Sequence, residues 1–296
     1  MKQEIPIFFA VDDAYIPFLA VTIQSLSENI NNKNLYKLRI LYTSINQENQ
    51  NEIKKYENDN IKIEFVNVQN NLEKLEGNLL TRDYYSNATY YRVLIPNLYP
   101  EYDKVLYLDA DIVILDDIAK LYNKNIGNYL IAGVSEHWFD QYRELQEYAE
   151  KVIGVSSYKK YINAGIMLMN LKKLRELKFE EKFIHLLENV KYVFAQDQDY
   201  FNRICKGRIK YLKEYWNASG YIYDKTNPKI IHYTVYKPWQ LIDMPNSEYF
   251  WKFAKKTVFY DYIYGLHNEE SKLKGNQSLQ EFRRIAKQEA DCVGNG

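Results

Sequence analysis

The chain has 296 residues, 46% of them hydrophobic, and its 39 lysines and arginines are balanced by 39 aspartates and glutamates. That length is enough to bury the core of one large α/β domain or of two small ones. The charge balance leaves no global field to draw in nucleic acid or an acidic polymer.

Cys205 and Cys292 lie far apart and fit neither a metal nor a disulfide spacing, which suits a reducing compartment. No run approaches the roughly 18 apolar residues of a membrane-spanning helix. The opening MKQEIPIFFAVDDAY is a short apolar strand interrupted by Asp12 and Asp13 rather than a signal peptide, so a soluble, cytoplasmic protein is expected. Asn87-Ala-Thr, Asn217-Ala-Ser and Asn276-Gln-Ser then read as chance matches to the glycosylation pattern.

Strands and helices alternate along the chain. IPIFFAV (5–11) is a strand, after which Ile16, Leu19, Ala20, Ile23, Leu26 and Ile30 recur at helical spacing. KLRILYT (37–43) is the next strand, followed by a polar-faced helix over 46–58 that Asn46 caps. IKIEFV (61–66) alternates as a strand, and residues 84–95 read as helical. KVLYLDADIVIL (104–115) reads as a buried strand with two aspartates inside it. YLIAGV (129–134) and AGIMLMN (164–170) follow as strands, then helices at 179–193 and 197–206 and the short strand RIKYL (208–212). This alternation predicts an α/β fold with a mostly parallel sheet and helices on both faces. Residues 1–264 read as a single domain, and the polar stretch 265–296 as a C-terminal extension, a loose helix or disordered.

In such sheets ligands bind at the carboxyl ends of the strands, and the polar residues gather there. Asp109 and Asp111, at i and i+2 of a strand, project to one face and repel unless a divalent ion lies between them. Oxygen ligands suit Mg²⁺, Ca²⁺ or Mn²⁺; the alternative is a pair of turn aspartates capping loop amides. His232, after an apolar run, would complete a mixed oxygen–nitrogen set that favours Mn²⁺, or it is a satisfied core histidine. Lys237 would sit near phosphates as a point charge. His137, His185 and His267 have no matching partner set in the sequence. Asp12 and Tyr15 suit uracil, the carboxylate accepting the imide N–H and the ring stacking on the base; the alternative is a plain turn with Asp13 as helix cap. Arg92 reaches a phosphate, braces the aspartate pair, or makes a surface ion pair. Asn163 and Gly165 suit a sugar hydroxyl and a close backbone approach, or a simple turn.

Taken together, FFAVDDAY, TYYRVLIP, DKVLYLDADIVIL, INAGIMLMNLKKL, AQDQDYFN and IIHYTVYKPW, spanning residues 5–240, resemble glycosyltransferase family 8. That family includes bacterial α-galactosyl- and α-glucosyltransferases of lipopolysaccharide and capsule synthesis, and glycogenin. The resemblance implies a GT-A fold, a Rossmann-like domain that binds a UDP-sugar through Mn²⁺. It implies Asp109, Asp111 and His232 as metal ligands, Ala10, Asp12 and Tyr15 as uridine contacts, and Ala110 beside the ribose. Arg92, Asn163, Ala164, Asp197 and Gln198 match positions that hold the donor sugar, with Arg92, Asp197 and Gln198 the catalytic group. Lys237 matches the lysine on the diphosphate, and Glu136 falls where relatives often carry an acid near the sugar. One departure stands out: the family pattern His-aromatic-x-Gly-x-x-Lys-Pro-Trp appears here as HYTVYKPW, without the glycine and one residue shorter.

The implied reaction moves a hexose, galactose or glucose, from a UDP-sugar to a glycan or lipid-linked acceptor, with retention at the anomeric carbon. Because Gln198 is a neutral amide, same-face attack is expected rather than a covalent intermediate. Residues 249–264, which mix Trp, Tyr and Phe with Lys252, Lys255 and Lys256, suit either peripheral contact with a membrane or a helix closing the core. A nucleotidyltransferase would want a Gly-rich basic loop that FFAVDDAY lacks. A non-catalytic sugar-nucleotide or glycan-binding protein on the same scaffold is the other alternative.

Overall fold

A computed structural model describes residues 2–72, 87–192, 194–221, 227–241, 244–266 and 269–294. Among them the strands are, in chain order, β1 (Gln3–Ala10), β2 (Asn34–Tyr42), β3 (Ile61–Asn67), β4 (Lys104–Leu108), β5 (Ile112–Ile114), β6 (Ile131–Gly133), β7 (Ile166–Asn170), β8 (Ile209–Tyr211), β9 (Ala218–Ser219) and β10 (Ile230–His232). The main sheet has the order β3-β2-β1-β4-β7-β6-β8, and β5-β10-β9 form a small second sheet. In the main sheet β7 runs antiparallel to β4 and β6, and the other pairs are parallel.

Alternating side chains explain why the central strands read as continuous apolar runs. Along β1, Ile5, Ile7 and Phe9 enter one core while Phe8 enters the other. β4 divides the same way, Val105 and Tyr107 against Leu106 and Leu108, and β7 sends Met167 and Met169 opposite Ile166 and Leu168. A sheet buried on both faces needs apolar residues at every position. Each large apolar side chain fully buried here contributes about 1.5–3 kcal/mol.

The stretch KVLYLDADIVIL is not one strand. It breaks at Asp109-Ala110-Asp111, so that β4 lies in the main sheet and β5 pairs with β10 in the small one. The helix Ile16–Ser27 makes the break possible by satisfying backbone groups that a continuous ladder would have paired. Buried Thr22 Oγ1 lies 2.8 Å from the carbonyls of both Ala110 and Ile112, and Ser25 Oγ accepts from the Ile114 N–H at 2.9 Å. The aspartates thus sit where the chain crosses between sheets, and they converge for that reason rather than by strand alternation.

Other departures are local. Asp12, not Asp13, caps the turn after β1, accepting from the Tyr15 N–H at 3.1 Å. Asp13 instead accepts from the side chains of Asn46 and Asn49 at the start of the helix Gln47–Lys54, which Asn46 does cap. Residues Asn87–Leu94 form a 3₁₀ helix that runs into a short α-helix, Ile95–Leu98; positions 84–86 of the expected helix lie outside the described residues, as does His267. The C-terminal stretch forms a helix, Glu269–Gly294, which buries Ala286 and Ala290 and pairs Arg283 with Glu144 at 2.5 Å. No helix among the described residues is long and apolar enough to cross a membrane.

Candidate active site

The carboxyl ends of β1 and β4, the start of β7 and the first turn of the helix Asp197–Cys205 surround one cleft, which holds about 1180 Å³ with its open mouth included. Ala10, Asp12, Tyr15, Arg92, Asp109, Ala110, Asp111, Glu136, Asn163, Asp197, Gln198, His232 and Lys237 all line it. Ala164 lies behind the wall, where its carbonyl accepts from Arg92 and its N–H donates to Gln198.

Asp109, Asp111 and His232 each bring a ligand atom within 4.8 Å of the others. His232 Nε2 is 3.7 Å from Asp109 Oδ2 and 3.2 Å from Asp111 Oδ1. Asp111 Oδ1 is buried without a hydrogen-bond partner. Two carboxylates and an imidazole, with one carboxylate oxygen buried and unsatisfied, fit a divalent cation of mixed oxygen–nitrogen preference such as Mn²⁺. Gly165 allows the convergence, since a Cβ there would collide with His232 Cε1 and Asp109 Oδ2. The backbone also ties the pieces together: the Asp109 N–H donates to the Gly165 carbonyl at 2.7 Å.

The carboxylates in the apolar run have cationic partners. Lys237 Nζ pairs with Asp111 Oδ2 and donates to the Tyr233 carbonyl at 2.6 Å. Burial pushes the Asp111 pKa up, but Lys237 and His232 beside it outweigh burial and hold it well below the ordinary carboxylate range.

Arg92 is buried rather than on the surface, and bracing is the role its contacts support. Its Nε and Nη2 grip both oxygens of Asp197, the latter at 2.9 Å. Its Nη1 donates to the Ala164 carbonyl at 2.7 Å and to Asp109 Oδ1 at 3.3 Å. The Tyr107 hydroxyl donates to that same Oδ1 at 2.8 Å, and its ring lies 4.7 Å from the guanidinium carbon. Burial alone would lower the Arg92 pKa; Asp197, Tyr107 and Asp109 raise it well above its ordinary value, so the guanidinium stays charged.

The helix Asp197–Cys205 holds the wall opposite the aspartates. Gln198 Oε1 accepts from the Ala164 N–H at 2.8 Å, and Gln198 Nε2 lies 3.4 Å from Glu136 Oε2. Asn163 Nδ2 donates to the same Glu136 oxygen at 2.7 Å, which ties Glu136 to Asn163 and Gln198 in the cleft wall. Below them, buried Asp199 accepts from the Tyr161 and Tyr148 hydroxyls at 2.7 and 2.8 Å and from the Ala195 N–H at 2.8 Å. Burial nevertheless raises its pKa to about 7, against the lowering by those donors.

The altered HYTVYKPW segment bends at the position of the missing glycine. Val235 stands three residues after His232, where the pattern has glycine, and its φ is +43°. That is left-handed backbone, which glycine tolerates and a β-branched residue resists.

Sequence reasoning missed several residues of the site. Asn217, read only as a chance glycosylation match, hydrogen-bonds His232 Nδ1 through its side chain at 3.1 Å. Tyr107 looked like one more apolar strand residue, and Tyr148 and Tyr161 carried no motif. Trp138 Nε1, which donates to Thr234 Oγ1 at 3.0 Å, ties the wall to the altered segment. None of these carried a signal in the sequence, since their importance lies in contacts between distant segments.

The model of glycosyl transferase family 8 matches residues 6–243. A Haemophilus influenzae protein that carries a provisional glycosyltransferase name is 34% identical over 73% of this chain, and the aligned region spans 64% of that relative. The lipopolysaccharide 1,2-glucosyltransferase of Escherichia coli is 27% identical over 83% of this chain and 76% of its own length. Among solved structures, the galactosyltransferase LgtC in complex with donor and acceptor sugar analogues superposes with a TM-score of 0.70 at 26% identity, covering 86% of this chain and 96% of LgtC.

Proposed function

The chain belongs to glycosyltransferase family 8, and on that premise we propose that it moves galactose or glucose from a UDP-sugar to a hydroxyl of a glycan or lipid-linked acceptor, with retention. The observation that carries this reading is the convergence of Asp109, Asp111 and His232 in a cleft whose other walls suit a nucleotide and a sugar. These three residues would hold Mn²⁺, which when bound supplies Lewis acidity to the departing diphosphate.

The remaining work falls to the chain's own groups. Asp12 accepts the imide N–H of uracil, Tyr15 gives the base a stacking face, and Ala110 lies beside the ribose. Lys237 adds positive charge next to the diphosphate as the glycosidic bond breaks. Asn163 and Gln198 hold the sugar, and Ala164, buried behind them, fixes Gln198 through its N–H rather than touching the sugar. Asp197 is buried with both oxygens gripped by Arg92, which makes it a poor nucleophile and supports same-face attack. In that course the leaving phosphate oxygen takes the acceptor's proton.

The contact with a membrane is narrower than the residue types alone imply. Phe250, Trp251 and Phe253 are buried and close the core, and Lys256 pairs with Glu28 at 2.7 Å. Lys252, Lys255, Tyr262 and Tyr264 remain exposed, a basic and aromatic patch that also carries exposed Val258 and the acid Asp261. We place the protein at the cytoplasmic face of the membrane through this patch, a position that a lipid-linked acceptor would require.

The test is a screen of UDP-Glc, UDP-Gal and UDP-GlcNAc for slow, Mn²⁺-dependent release of UDP, which needs no acceptor. Turnover of one of them is expected, and a chain that binds UDP without releasing it from any donor would be a binding protein instead. Mass spectrometry that traps a sugar ester on Asp197 would reject same-face attack.

A further inference from the structure

Two side-chain amides stand behind His232, and one backbone N–H decides how both of them point. The Gly165 N–H can only donate, and it meets the Asn163 side-chain oxygen at 3.0 Å. The Asn163 amide nitrogen therefore faces Glu136 Oε2, 2.7 Å away. The opposite orientation would set donor against donor at Gly165 and oxygen against carboxylate at Glu136. Because Asn163 Oδ1 accepts, the Asn217 atom 3.0 Å from it is the amide nitrogen. Asn217 then offers its oxygen to His232 Nδ1 at 3.1 Å. An oxygen at that place requires Nδ1 to carry the hydrogen, so Nε2, 3.2 Å from Asp111 Oδ1, carries a second hydrogen in the imidazolium and holds the lone pair in the neutral ring.

The relay is rigid. Asn163, Asn217 and His232 are all buried. His137 Nε2 bonds the Asn217 carbonyl at 2.8 Å, and the Asn217 N–H donates to the Glu214 carbonyl at 2.8 Å. β9 begins at the next residue and runs parallel to β10 with Ala218 beside Ile231, which fixes Asn217 relative to His232.

We propose that Asn217 is a positioning residue that locks His232 as the Nδ1–H tautomer and so turns the Nε2 lone pair toward Asp109 and Asp111. Its purpose rests on the metal-dependent reading given above; its geometry does not. A ring released from this acceptor can carry its hydrogen on Nε2 and would then present an N–H to a cation. Losing such an outer partner of a histidine ligand typically weakens metal affinity by about 10- to 100-fold.

The test compares the full chain with Asn217→Leu, which removes the acceptor, and Asn217→Asp, which keeps one at Nδ1, with thermal melts to verify folding. Imidazole ¹⁵N–¹H correlation spectra of metal-free protein, above the pH range where the ring titrates, report the tautomer directly. Manganese titration follows on the same samples. The native chain and Asn217→Asp are expected to show Nδ1–H. Asn217→Leu is expected to shift to Nε2–H and to bind Mn²⁺ about 10- to 100-fold more weakly than the native chain, a larger loss than in Asn217→Asp. A native ring carrying its hydrogen on Nε2, or an unchanged tautomer in Asn217→Leu, would overturn the proposal. A native chain that bound no manganese would defeat the transferase reading alone, because the spectra still decide the role of Asn217.

Discussion

Arg92 and Asp197, 105 residues apart, form a two-point ion pair that is buried on both sides. The pair joins the 3₁₀ helix Asn87–Leu94 to the helix Asp197–Cys205 beside the cleft that both residues line. Removing Arg92 leaves Asp197 buried without its cation, which costs about 3–5 kcal/mol, whereas removing Asp197 leaves Arg92 with Asp109 at 3.3 Å. Urea unfolding is expected to show a loss of that size for Arg92→Leu and a smaller one for Asp197→Leu. Arg92→Lys is expected to be destabilised as well, since an ammonium cannot span both carboxylate oxygens. A loss near zero in all three would mean that the pair does not hold the site together.

Gly165 is expected to be intolerant of even one added carbon. Gly165→Ala pushes into His232 and Asp109, the two side chains it keeps together. Overpacking of this kind costs about 1–3 kcal/mol, and here the displaced groups are the proposed ligands. Unfolding and manganese titrations run together should show a modest loss of stability and a loss of metal affinity of about tenfold or more, as for other disturbed ligand shells. Unchanged metal affinity would contradict the close approach.

Val235 holds left-handed backbone that its branched side chain disfavours. Such a residue stores about 1–3 kcal/mol, against which glycine carries an entropy cost of roughly 0.5–1 kcal/mol. Val235→Gly is therefore expected to stabilise the chain by about 1 kcal/mol, read as a shift of the denaturation midpoint. A clear loss of stability would show instead that the valine side chain matters more than the bend.

Asp199 gives stability a pH dependence with a definite sign. Its pKa is raised from 3.8 to about 7 by burial, so between those values the unfolded chain ionises while the folded one stays protonated. Its contribution is complete below about pH 4 and is lost as pH rises toward 7. Native protein is thus expected to lose stability relative to Asp199→Asn across that window, and parallel curves for the two would rule out the raised pKa.

Much of the frame was legible because burial on both faces of a sheet writes itself as unbroken apolar runs, as in IPIFFAV and AGIMLMN. The cluster proposed to hold the cation was legible because its chemistry is carried by residue types, two aspartates and a histidine, that stand out against such runs. The crossing at Asp109-Ala110-Asp111 was not, because the groups that satisfy its backbone, Thr22 and Ser25, lie on a distant helix. Tertiary contacts of that sort leave no periodicity. The same holds for Asn217, whose importance comes from β9 lying beside β10, and for Arg92, whose partner Asp197 is far along the chain. The bend at Val235 was hidden for the opposite reason, since the residue that normally signals it is missing.

Calorimetric titration of UDP into the full chain, with and without Mn²⁺, bears most directly on the proposed cation site. Manganese is expected to raise UDP affinity by roughly tenfold or more, about 1.4 kcal/mol, and Asp111→Asn to abolish that gain. UDP binding of equal strength with and without manganese would contradict the assignment of Asp109, Asp111 and His232 as its ligands.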